Sequence, residues 1–147
     1  MSNDPELQSW RRPPPSAAQR RLDLGVALGL FVAAVGSLIL SRASGLLVGA
    51  GAASLPVSLF VVAGMTVPLA WRRSHPCVVG IAVALAFIAV GEARVPELTV
   101  SNIAMFMAIY SVGAWEADRR RATWVRGAII AVMGIWLLTS FFRASTA

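Results

Sequence analysis

Five apolar runs separated by short polar links set the pattern of this chain: residues 24–40, 55–71, 76–91, 99–115 and 124–142. At 1.5 Å per residue, a run of this length makes roughly 26 Å of helix, and fraying outward brings it to a bilayer core of about 30 Å. The pattern predicts an all-α fold, a polytopic membrane bundle of about five transmembrane helices. Residues 1–21 read as a polar tail, 22–143 as the transmembrane domain and 144–147 as a second short tail.

The prolines punctuate these runs. Pro13, Pro14 and Pro15 supply no amide donors, so they predict an extended segment ahead of the first run. Pro56 and Pro76 open the second and third runs, where a missing amide costs no hydrogen bond, and Pro68 falls near the end of the second, where a kink is tolerable. The first run follows Arg20 and Arg21, which also suits an export signal. Its length and the four runs that follow favour a retained span. The weakest-looking run still inserts: Val78, Val79, Ile81, Val83, Leu85, Phe87, Ile88 and Val90 together contribute about −2 to −5 kcal/mol, and no central charge opposes them.

Composition agrees: 57% of residues are hydrophobic and 14% charged, too little charge to cover a soluble domain of 147 residues. All thirteen basic residues are arginine, and the net charge is +6. They flank apolar runs instead of forming a basic face, which disfavours nucleic acid as a partner. With the N-terminus in the cytoplasm, inner segments hold Arg11, Arg12, Arg20, Arg21, Arg72, Arg73, Arg119, Arg120, Arg121 and Arg126. Outer segments hold only Arg42, Arg94 and Arg143. This bias predicts a multi-pass protein of the cell membrane with its N-terminus cytoplasmic, its orientation set chiefly by Arg20, Arg21, Arg72, Arg73, Arg119, Arg120 and Arg121. Trp71, Trp115 and Trp124 fall at the inner boundary, where indoles are favoured. Five spans then leave Ala147 outside, so a cytoplasmic domain beyond it needs a sixth span, or one of the five is re-entrant.

Candidate chemistry is sparse. One histidine, His75, excludes paired-histidine metal sites and a Ser-His-Asp arrangement, and its neighbour Pro76 argues against a phosphoacceptor helix. Cys77 reads as a packing residue. Asp23, Glu92, Glu97, Glu116 and Asp118 cluster at helix ends, whereas a proton-coupled transporter places an ionisable group inside a span. No catalytic, metal or cofactor site is expected. Gly25 and Gly29 in the first span and Asn102 in the fourth are candidates for helix packing, together with the small residues Gly80, Ala84, Gly127 and Ala131.

One stretch carries more than composition. Pro68-Leu69-Ala70-Trp71-Arg72-Arg73-Ser74-His75-Pro76 resembles the Pro-Leu-Ala-x-Arg-Arg-x-His-Pro turn in the N-terminal membrane domains of actinobacterial sensor histidine kinases, of the kind that pair with LuxR-type response regulators. Tyr110-Ser111-Val112-Gly113-Ala114-Trp115 followed by Arg119-Arg120-Arg121 is similar to that family's turn into an arginine-rich loop. The resemblance implies a membrane-embedded sensory and anchoring region of a two-component sensor. Its expected partners are the lipid bilayer, a second copy or another membrane protein, and a response regulator only where a kinase region follows. Nothing here resembles the phosphoacceptor helix or the nucleotide lid, so the expectation is that this segment is not itself an enzyme. The rival readings are an accessory subunit of a membrane complex and, third, a transporter subunit depending on Asn102 or Glu92.

Overall fold

The computed structural model describes residues 14–45, 51–97 and 99–145. The greater part of the expected N-terminal tail, with Arg11 and Arg12, lies outside the described residues. Among those described, all regular structure is helical: α1 (Ala17–Ser44), α2 (Leu55–Thr66) continued by a 3-10 turn (Val67–Trp71), α3 (Pro76–Glu92), α4 (Thr99–Trp115) and α5 (Arg119–Ser145). Two of them, α1 and the 25 residues Arg119–Arg143 of α5, are long and apolar enough to cross a membrane, while the other three are shorter apolar helices.

Both long helices start before their apolar runs, and capping explains it. Ser16 accepts from the Gln19 amide at 3.2 Å while Gln19 Oε1 accepts from the Ser16 amide at 3.0 Å, a reciprocal capping box. Residues 17–21 are therefore helical, not an extended tail, and Gly45 ends α1 in the left-handed region at φ 69°. Asp118 likewise accepts from the Arg120 and Arg121 amides at 2.9 and 3.2 Å. It starts α5 inside what reads as a charged turn. Its carboxylate also offsets three arginines placed at the positive pole of the helix dipole. Pro68 cannot donate to the α-helical ladder, and the last turn of the second apolar run tightens into the 3-10 form.

The helices alternate in direction. Asp23, the 72–75 turn and the 116–118 turn gather at one end, where side-chain contacts join them. Arg42, Ala53, Glu92 and Arg143 lie at the other. The interior mixes small residues such as Ala27, Ala34, Ala104 and Ala108 with Leu38, Met65 and Leu69, while many large apolar side chains, among them Leu28, Phe60, Phe106, Trp124 and Phe141, are exposed. Close approach is enforced at Gly80, where an added Cβ would sit 2.6 Å from Val112 Cγ2, and at Gly91, where it would overlap the Trp136 ring. α5 is the outlying helix, packing among the described elements on α3 and α4 alone.

Two of the residues expected to pack, Gly25 and Gly29, meet no other helix among the described residues. Gly25 and Gly29 face outward with no described atom within 4 Å of an added Cβ, and Asn102 is exposed. Gly127 and Ala131 are also exposed. The physical reason is the register of Asp23, Ala27, Ala34 and Leu38, which set the inward face of α1 and turn both glycines away from the bundle.

Candidate functional site

The most built-up polar feature is a charged node at the arginine-rich end. Asp23 lies near the start of α1 on its inward face and is 2% exposed. An ionised carboxylate at such a position is costly unless paired. Two consecutive arginines of the 72–75 turn supply the pairing. Arg72 donates from Nε and Nη2 to Asp23 Oδ1 at 3.0 and 2.8 Å. Arg73 Nε lies 2.7 Å from Oδ2, an ion pair out of line for a hydrogen bond. The Arg73 guanidinium also sits 4.6 Å from the centroid of the Trp115 ring at the end of α4, a cation–π contact. One carboxylate thus ties α1, the α2–α3 turn and α4 together.

The turn that presents the two arginines is itself fixed. Arg72 donates its amide to Leu69, and Ser74 and His75 donate theirs to Trp71, at 3.2, 3.0 and 2.9 Å. Pro76 then starts α3 immediately, so the backbone reverses within a few residues. Beside it, the buried Cys77 thiol donates to Glu116 Oε2 at 2.8 Å, which extends the contacts to the α4–α5 turn. His75 is exposed and makes no side-chain cap to α3.

The opposite end is held by neutralised and capped groups. The Arg42 guanidinium donates to the Ala53 carbonyl and, at 3.0 Å, to Ser58 Oγ, fixing the start of α2 against α1. Glu97 is fully buried and caps α4, accepting from the Val100 and Ser101 amides at 2.8 and 3.0 Å and from the Ser101 hydroxyl at 2.6 Å. Glu92, just past the 76–91 span, accepts from Trp136 Nε1 at 2.7 Å and from Arg143 Nη2 at 2.9 Å. The Arg143 hydrogen bond, and then that of Trp136, hold the Glu92 carboxyl below its ordinary range.

Residues 10–146 match a family described as a domain of unknown function (DUF7134). The chain belongs to this family. No curated protein and no solved structure matches it. In this DUF7134 chain the residues singled out by charge, Arg72 and Arg73, are drawn into one contact by Asp23, while Arg20, Arg21, Arg119, Arg120 and Arg121 are exposed at the same end. Sequence reasoning placed Asp23 only as a boundary residue. The signal that could have found its role is an acid directly abutting the first apolar run, at the end to which an Arg-Arg turn returns. Among the described residues no group of three His, Cys, Asp or Glu is placed to hold a metal ion. The arrangement in this DUF7134 chain can fix helix ends against one another and present cationic groups at one end. Its sulfur and carboxylate groups are occupied in packing contacts.

Proposed function

We propose that this chain is a membrane-embedded domain whose five helices all cross the bilayer, with the arginine-rich end in the cytoplasm, and that it serves as the sensory and anchoring region of a sensor histidine kinase. The many large apolar side chains left exposed, with small residues such as Ala34, Ala104 and Ala108 at helix contacts, support the membrane reading, since a lipid solvent suits both. The observation that carries the functional reading is the use made of the Pro68–Pro76 turn. The stretch that resembles the kinase family supplies both arginines of the Asp23 node, so a shift of α1 in the membrane is transmitted directly to the inner turn and to Trp115. The α3–α4 link and the described ends of the α1–α2 link are short, and Arg42 pins the latter. This favours a stimulus received within the membrane or from a partner protein. Five alternating helices bring Arg143 to the outer end, so a cytoplasmic kinase region would follow one further span.

Reading the coding sequence past codon 147 tests the kinase assignment. A further apolar span and then a His-bearing dimerisation helix would support it, and a stop codon would remove it in favour of an accessory membrane subunit. Orientation is tested separately in a Cys77→Ser background. Ser74→Cys should resist a membrane-impermeant maleimide in intact cells and react after permeabilisation, whereas Ala52→Cys should react in both. The reverse pattern would overturn the proposed orientation.

A further inference from the structure

Two adjoining grooves on the arginine-rich half of the bundle differ in chemistry and share His75 and Val78. The first, about 260 Å³, is almost wholly apolar and runs between the 3-10 turn and α3, lined by Val67, Pro68, Trp71, Val79 and Ala82. It opens where Pro68 tightens the end of α2, so it is a consequence of the same proline that shapes the turn. The second, about 230 Å³, continues over the bundle end past Ser74, His75, Arg73 and Arg121. Glu116 also lines it and keeps its charge, and among the described residues the other acids at this end are Asp23 and Asp118. Glu116 accepts the Cys77 thiol, Asp23 is shared by Arg72 and Arg73, and Asp118 caps the first turn of α5. Arg121 is exposed beside Arg119 and Arg120, with Arg20 and Arg21 at the same end, so arginines outnumber the acids and the rim is net cationic.

An apolar channel that ends under hydroxyl, imidazole and guanidinium donors fits an amphiphile with an anionic head, and a water-soluble anion would leave the channel without a partner. We infer that this is a binding site for an anionic phospholipid, with one acyl chain along Val67, Trp71 and Ala82 and the phosphodiester at Ser74, His75 and Arg121. The inference rests on the reading of the chain as membrane-embedded. The lipid would bridge the inner turn to the start of α5, joining the outlying helix to the charged node.

Trp71 lines the channel and reports on it. The full chain is placed in nanodiscs containing phosphatidylglycerol or phosphatidylcholine with dibrominated acyl chains, and the Trp71 contribution is taken as the difference from Trp71→Phe. Half-maximal quenching is expected at about a fivefold lower mole fraction of the brominated anionic lipid, the worth of one arginine near a charged surface. Arg121→Gln should abolish most of that preference, Ala82→Phe should reduce quenching by filling the channel, and Arg143→Gln at the opposite end should leave both unchanged. Equal quenching by the two lipids, or a preference that survives Arg121→Gln together with His75→Gln, would overturn the site while leaving the membrane reading intact. Absence of quenching by either lipid would overturn both.

Discussion

Asp23→Asn removes the charge of the node and almost nothing of its volume, so it isolates the electrostatic contribution. Asparagine keeps one oxygen that can accept from Arg72 as Oδ1 now does at 2.8 and 3.0 Å. Its amide nitrogen then meets Arg73, donor against donor, where the 2.7 Å ion pair stands in the native chain. The two arginine side chains are only 15% and 14% exposed, so water replaces the lost partner poorly. Breaking a buried pair from one side costs about 3–5 kcal/mol, and the remaining access to the bundle end places this case near the lower figure, about 3 kcal/mol. The assay is unfolding in mild-detergent micelles titrated with dodecyl sulfate, followed by helicity, with Arg20→Gln as an exposed control expected within about 0.5 kcal/mol of native. Adding Arg72→Gln and Arg73→Gln to Asp23→Asn should restore a good part of the loss, because removing a whole ionic network costs less than orphaning its members. A loss below about 1 kcal/mol, or a triple variant less stable than Asp23→Asn, would refute the account of the node as mutually compensating buried charge.

Other contacts give sharper contrasts. Gly91→Ala should destabilise the docking of α5 by about 1–3 kcal/mol, because the new methyl meets the rigid Trp136 ring. Gly113→Ala should cost under about 0.5 kcal/mol, since its neighbour at 2.7 Å is the mobile end of Arg126. The same unfolding titration compares them. Glu97→Ala should cost about 1–3 kcal/mol by leaving the Val100 and Ser101 amides without their acceptor, and amide exchange at those two positions should rise. The Glu92 contact should depend on acid. Its folded carboxyl is held below the ordinary value, so its contribution is fully present above the unfolded pKa and is lost as pH falls through the folded one. The Trp136 emission, taken against Trp136→Phe, should shift below the usual carboxylate range and stay constant above it. A shift confined to neutral pH would assign it to another group.

Much of the architecture was legible because the central stretch of each helix is apolar on all sides. The run at 99–115 coincides with α4, and 76–91 stops one residue short of α3. Hydropathy locates such segments without reference to neighbours, and the arginines mark their ends. What it missed at boundaries has local causes: Ser16 with Gln19, and Asp118, lengthen α1 and α5 through amide capping, which carries no hydropathy signal. It also misjudged inward faces. Gly25 and Gly29 invite close packing by residue type, yet which side of a uniformly apolar stretch turns inward leaves no periodicity to read.

The sequence by itself determined that the chain is a set of apolar helices with arginines concentrated at alternate links, because length, composition and charge position act residue by residue. Only the tertiary structure decided that Asp23, 49 residues away from Arg72, meets the Arg72-Arg73 turn, that Cys77 meets Glu116, and that Trp136 closes over Gly91. Those pairings depend on rotation and relative height of whole helices. They are fixed by small residues that permit approach and by buried charges that require a partner.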